Sequence, residues 1–149
     1  MLEFRVPMKV LVVDPVEESR DALRRAFSGA GDQFRGVASV AEADRLLAEF
    51  APDAVIAALG SEGPEGEAEE LLARALAADP RRAVYALIDG SRLEDGVRAM
   101  GRGAHDFLWR PISEGRVALV RARFASRRER EGGIEEMRLR LARNEIATT

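Results

Sequence analysis

The chain has 149 residues, 46% of them apolar and 33% charged, with a net charge of −3. That suits one compact domain with a core of its own and an appendage, and nothing in the total charge points to a nucleic-acid or membrane binder. The absence of cysteine excludes disulfides and thiolate metal sites, and the opening MLEFRVPMKV contains neither a signal peptide nor a membrane-spanning run, so a cytoplasmic location is the default expectation.

Residues 9–13, KVLVV, are a continuous apolar run of strand length, rich in β-branched side chains. The next stretch, DPVEESRDALRRAFSGAG, predicts a helix with Val16, Ala22, Leu23, Ala26 and Phe27 on one face, ended by Gly29 and Gly31. FRGVAS (34–39) is a short strand. In SVAEADRLLAEF (39–50), Ser39 is the expected N-cap, Glu42 completes a capping-box pattern, and Leu46, Leu47 and Phe50 share a face.

PDAVIAAL (52–59) is the third strand, and it runs into the loop GSEGPEGEAEE. That loop lacks a GK[ST] ending, and its glutamates would repel phosphate, so it reads as solvated or partner-facing. The helix AEELLARALAAD (68–79) is stopped by Pro80. RAVYALI (82–88) is the fourth strand. DGSRLEDGVRAMGRGA follows as a loop and a helix with Leu93, Val97 and Met100 on one face, and HDFLW (105–109) is the fifth strand. RPISEGRVALVRARFASRRER begins the last helix, with Ser113 as cap and Val117, Val120 and Phe124 at i, i+3 and i+7. Five strand–helix alternations with strands apolar throughout predict a parallel sheet covered on both faces by helices.

The order of these elements, together with KVLVVD, PDAVIAAL and GAHDFLWRPIS, resembles the receiver domain of bacterial two-component response regulators over roughly residues 8–130. The resemblance implies an α/β, flavodoxin-like fold with strand order 2-1-3-4-5 and a pocket at the carboxyl ends of the strands. Residues 1–7 then read as an N-terminal extension, 8–130 as the domain, and 131–149 as an amphipathic helical extension or linker.

The resemblance also implies three carboxylates that hold Mg²⁺, one of which accepts a phosphoryl group, with a lysine, a hydroxyl and a switch aromatic around them. At the matching positions this chain has Asp14 for the first acid but Pro15 for the second. Ala58 stands at the phosphoacceptor, Ile88 at the hydroxyl, Arg110 at the lysine and Phe107 at the aromatic. Pro111 is kept, and the resemblance implies a cis Arg110–Pro111 bond, which the sequence alone disfavours. Such a pocket is expected to be degenerate, with no catalytic residue, no metal and no cofactor.

Each remaining feature has two readings. Asp14 either takes Arg110 as its countercharge or caps the first helix. Asp89 either joins Asp14 in a two-acid site or makes the DGS turn, the usual role. His105, the single histidine, is by default a loop or strand-edge residue. Trp109 is an interface anchor or, the favoured reading, packs on the last helix. By resemblance, the fourth helix, fifth strand and fifth helix form a contact face carrying Arg98, Arg102, Asp106, Trp109, Arg121 and Arg123; the charges are otherwise a solvated surface.

In the tail EREGGIEEMRLRLARNEIATT, Ile134, Met137 and Leu141 form a short amphipathic stripe. It also resembles, at a lower grade, the linker of the adaptor receiver in diguanylate cyclases, although no cyclase motif is present. The expected function is a non-catalytic pseudo-receiver that dimerises or docks a protein partner, without membrane or nucleic acid. The alternatives are an atypical receiver or small-ligand sensor using the altered pocket, and a regulatory N-terminal part of a larger protein such as a diguanylate cyclase.

Overall fold

The computed structural model describes residues 7–27, 31–60, 66–126, 137 and 140–142. Strands and helices alternate along the chain: β1 (Lys9–Val13), α1 (Glu17–Ala26), β2 (Gln33–Val37), α2 (Val40–Glu49), β3 (Ala54–Ala58), α3 (Glu67–Ala78), β4 (Ala83–Asp89), α4 (Leu93–Gly101) and β5 (Asp106–Arg110). A last helix, α5, is described over residues 114–126. The five strands form one parallel sheet in the order β2-β1-β3-β4-β5, as expected. Element boundaries differ from the sequence reading by a residue or two at each end, the usual fraying of such limits.

The central strands β1, β3 and β4 are buried on both faces, which is why they read as unbroken apolar runs. Their alternate residues feed two cores. On one face Val10, Val12, Ile56, Tyr85, Leu87 and Leu108 meet Leu23 and Phe27 near α1, and Val117, Val120 and Phe124 of α5. Phe124 stacks on Phe27 at 6.2 Å and meets Tyr85 edge-on at 4.3 Å. On the other face Leu11, Val13, Val55, Ala57, Val84 and Ala86 meet α2, α3 and α4. Each fully buried Leu, Val or Phe contributes about 1.5–3 kcal/mol relative to exposure.

Two helix faces differ from the pattern. In α1 the inward residues are Ser19 and Leu23; Val16 is the N-cap residue, in extended backbone ahead of the first turn, and is exposed. In α4 only Gly96 and Ala99 are buried, while Leu93, Val97 and Met100 face outward. The ring of Phe107 explains this: a Cβ on Gly96 would stand 2.6 Å from ring carbons, so only the small side of α4 fits the sheet.

Three polar devices fix the ends of the elements. Ser39 caps α2 by accepting the Glu42 N–H at 3.3 Å. Arg82, buried, donates to the carbonyls of Pro52 (2.7 Å) and Ala75 (2.9 Å), tying the end of α3 to the entry of β3. Arg121 clasps the buried Asp32 carboxylate through Nε (2.8 Å) and Nη2 (2.7 Å), fastening α5 to the segment before β2. Among the described residues no helix is long and apolar enough to cross a membrane. The expected extensions fall mostly outside the described residues, including residues 1–6 and Ile134; Met137 and Leu141 are described and exposed.

Candidate functional site

Because all five strands run the same way, their carboxyl ends gather Asp14, Ala58, Ile88 and Arg110 on one side of the sheet. Register places Val13 beside Ala57, Ala58 beside Leu87, and Asp89 beside Arg110. Asp14 directly follows β1 and is completely buried. Its Oδ1 accepts the Val16 N–H at 2.9 Å and an Arg110 Nη2 hydrogen at 2.5 Å. The other oxygen, Oδ2, has no partner among the described residues, so the countercharge of this carboxylate is Arg110. A buried carboxylate of this kind requires a paired cation.

The helix α1 completes the arrangement. Ser19, buried, accepts Arg110 Nε at 2.9 Å, which fixes the plane of the guanidinium. Arg20 Nη1 donates to the Asp14 backbone carbonyl at 2.6 Å. The motif comparison missed both residues. The available signal was Ser19 itself, a polar residue four before Leu23 on the inward stripe of α1. The Arg110–Pro111 bond is cis. Gly90 N donates to the Arg110 carbonyl at 3.2 Å, and a Cβ on Gly90 would lie 2.5 Å from that oxygen, so the close approach of the two loops requires glycine.

The other positions carry no chemistry at this end. Ala58 and Ile88 are buried apolar residues, and Pro15 is exposed. Asp89 Oδ1 accepts from Ser91 N and Oγ at 3.0 and 2.9 Å, the turn arrangement. Those two bonds hold the Asp89 carboxyl below its ordinary value against an opposing burial effect, with lesser help from the charges of Arg110 and Arg92. Mg²⁺ needs several oxygen ligands. Here a single buried carboxylate is already engaged by a guanidinium, and the described residues contain no cluster of three or more His, Asp or Glu fit for a metal. The residues present do not fit Mg²⁺.

His105 has a structural place. Its N–H donates to the Val84 carbonyl at 2.9 Å, and its Nδ1 accepts the Val84 N–H at 3.0 Å, so the imidazole adds a rung to the β4–β5 ladder. Along the α4–β5–α5 face, the charges are largely spent inside the molecule. Asp106 takes Arg123 at 2.5 Å and Arg116 at 3.4 Å, and Arg116 lies over the half-buried Trp109 at 4.9 Å. Arg102 pairs with Glu69 of α3, and Arg98 stands 3.8 Å from Asp95. Arg121, expected on this face, is buried against Asp32 instead, a correction that follows from α5 turning that position toward the start of β2. Phe107 is half buried against Gly96. Open space of about 300 Å³ lies between α3 and α4, lined by Leu72, Leu76, Val84 and Ala99 and bordered by Glu69 and Arg102, away from Asp14.

A five-stranded parallel sheet in this order, with helices on both faces, is the receiver type of flavodoxin-like fold. The comparisons agree. NtrX from Brucella abortus, solved in complex with ADP, superposes with a TM-score of 0.80 at 23% identity over 89% of this chain. This chain spans 30% of that NtrX chain. The separate receiver domain of the same NtrX gives a TM-score of 0.69 at 27% identity, covering 77% of this chain and 96% of that one. The signal receiver domain of a putative Luxo repressor protein from Vibrio parahaemolyticus gives 0.73 at 20% identity, with coverages of 87% and 98%. No family model and no curated protein sequence matches the chain.

Proposed function

We propose that this chain is a non-catalytic, receiver-like signalling module that acts by contact with a protein partner or a second copy, without aspartyl phosphorylation. The observation that carries this reading is the pairing of Asp14 with Arg110 beside an alanine at the tip of β3. A phosphoryl group needs a nucleophilic oxygen and a counter-cation that is free to meet the incoming charge. Ala58 supplies no oxygen, and Arg110 is committed to Asp14 and Ser19.

The contact face assigned in this reading is the outer surface of α4, β5 and α5. The outward Leu93, Val97 and Met100 of α4 support it, since large apolar side chains grouped in water favour a partner. The decisive experiment is incubation with acetyl phosphate and Mg²⁺, read by intact mass. An unchanged mass is expected, with a receiver that carries the full acid set labelled in parallel. A phosphoryl adduct on this chain would overturn the reading in favour of an atypical phosphoacceptor.

One observation favours a second reading. The NtrX chains that match are more than three times as long as the aligned segment, so in them the receiver is one part of a larger protein. By that analogy the present module is the regulatory part of a longer polypeptide, with residues 131–149 as the connection. Limited proteolysis of the native protein from cell extract, detected with an antibody to residues 8–130, tests it. A native band no larger than this chain would dispose of it.

A further inference from the structure

The outward face of α4 and the described part of the C-terminal segment present the same kind of surface. On α4, Leu93, Val97 and Met100 are 50%, 65% and 44% exposed at i, i+4 and i+7. Further along, residue 137 and residues 140–142 are helical, and Met137 and Leu141, at i and i+4, are 64% and 57% exposed. The α4 stripe is about 10 Å long, and Met137 and Leu141 have the same four-residue spacing as Leu93 and Val97, with which that stripe begins. Neither stripe covers the other within one chain, since both remain open to solvent.

We propose that the α4 stripe is covered by the Met137–Leu141 stripe of a second copy of this chain, in a reciprocal exchange between two copies. The proposal rests on the contact reading above and names the occupant of that face. Pairing α4 with α4 of a second copy would leave Met137 and Leu141 in water; the exchange covers both stripes, twice per dimer, and closes under two-fold symmetry. Charge agrees with it. The arginines around α4 are held locally, Arg92 and Arg98 by Asp95 and Arg102 by Glu69, while the exposed Glu94 borders the stripe. Among the described residues beside Met137 and Leu141 the exposed charged one is Arg140, of opposite sign. Opposite charges flanking an apolar seam are the arrangement that sets partner and register between paired helices.

The chain has no cysteine, so cross-linking can be designed without background. Chains carrying V97C are mixed with chains carrying L141C and oxidised, while sedimentation equilibrium is run on the parent chain, Val97→Arg and Leu141→Arg. The expected result is a dimer, a disulfide between V97C and L141C chains, and dimerisation weakened by about tenfold or more in either arginine variant. Both positions are solvent-exposed, and far-UV dichroism of each variant checks the fold. Cross-links only between two V97C chains would overturn this proposal and leave the contact reading standing. A monomeric disulfide in the V97C/L141C double variant at high dilution, with no mixed dimer, would overturn it in favour of folding back within one chain. A parent chain that stays monomeric at all concentrations would overturn it, and the contact reading would then depend on a different protein.

Discussion

Arg110 at the end of β5 donates to Asp14 after β1 at 2.5 Å, across the mouth of a parallel sheet and 96 residues apart in sequence. The carboxylate is fully buried and the guanidinium about one-quarter exposed, so the pair is only partly screened by water. Ser19 holds the guanidinium from the α1 side. The first and last strands and the first helix are thus joined through one charge pair at the end of the sheet where receiver chemistry would be found.

Removing one member of that pair should cost far more than removing both. Arg110→Met leaves a buried carboxylate without its cation and is expected to destabilise the fold by about 3 kcal/mol. Adding Asp14→Asn in the same chain should restore most of the loss, because the amide carries no charge to strand. Urea denaturation of the two single variants and the double variant measures the coupling. Additive losses would mean that the two side chains do not share a charge balance.

Gly96 and Phe107 make a second coupled pair. Glycine-to-alanine in a helix ordinarily gains about 1 kcal/mol. Here the new methyl would meet the Phe107 ring at 2.6 Å, and overpacking of that kind costs about 1–3 kcal/mol. Gly96→Ala is therefore expected to be neutral to destabilising alone. In a Phe107→Leu background, which opens the space, the same change should become stabilising. Thermal denaturation of the four chains reads the change of sign, and a stabilising Gly96→Ala in the parent chain would show that the ring yields freely.

Much of the fold was legible from the sequence because buried parallel strands advertise themselves as apolar runs bounded by Gly, Pro and Asp. The outward turn of α4 was not. Periodicity says that Leu93, Val97 and Met100 share a face, but which face meets the sheet is decided by Phe107, contributed by a different element. Asp14 and Arg110 could be placed together only because the resemblance brings the ends of β1 and β5 to one side. Ser19 was overlooked because a lone serine on a helix carries no motif. Arg121 is placed on the contact face by the resemblance alone; its partner Asp32 is 89 positions away, and no local pattern links the two.

Arg82 illustrates a cation used as a structural clamp. Its guanidinium spans the Pro52 and Ala75 carbonyls, and burial, partly offset by Asp79 and Asp53, lowers its pKa from the ordinary arginine value. Arg82→Met should remove both bonds and leave the Pro52 carbonyl without this donor, while the Ala75 carbonyl keeps the Asp79 N–H at 3.3 Å, a loss of about 1–3 kcal/mol. Arg82→Lys should recover less than half of it, since an ammonium cannot present the planar fork that reaches both oxygens. The test is the urea midpoint of the three chains, with equal midpoints for Arg82→Lys and the parent as the refuting result.

Asp79, beside that clamp, should give the fold a pH-dependent increment. Burial by itself raises its carboxyl, but hydrogen bonds from the Arg81 backbone N–H and guanidinium, with the charges of Arg81 and Arg82, outweigh it and hold the group below its ordinary 3.8. A carboxylate whose folded pKa lies below its unfolded one adds stability that is complete above the unfolded value and vanishes as pH falls through the folded value. The parent chain should therefore exceed Asp79→Asn in stability at neutral pH by about 0.5 kcal/mol, a small margin because Arg81 is half exposed and solvent screens the pair. Asparagine still offers an oxygen to the Arg81 N–H, so the difference isolates the charge. Urea titrations from neutral pH down through the acidic range should show the gap constant above about pH 4 and closing below it. A gap that stays constant into strong acid, or widens there, would mean that the Asp79 carboxylate is not held in its charged form by these partners.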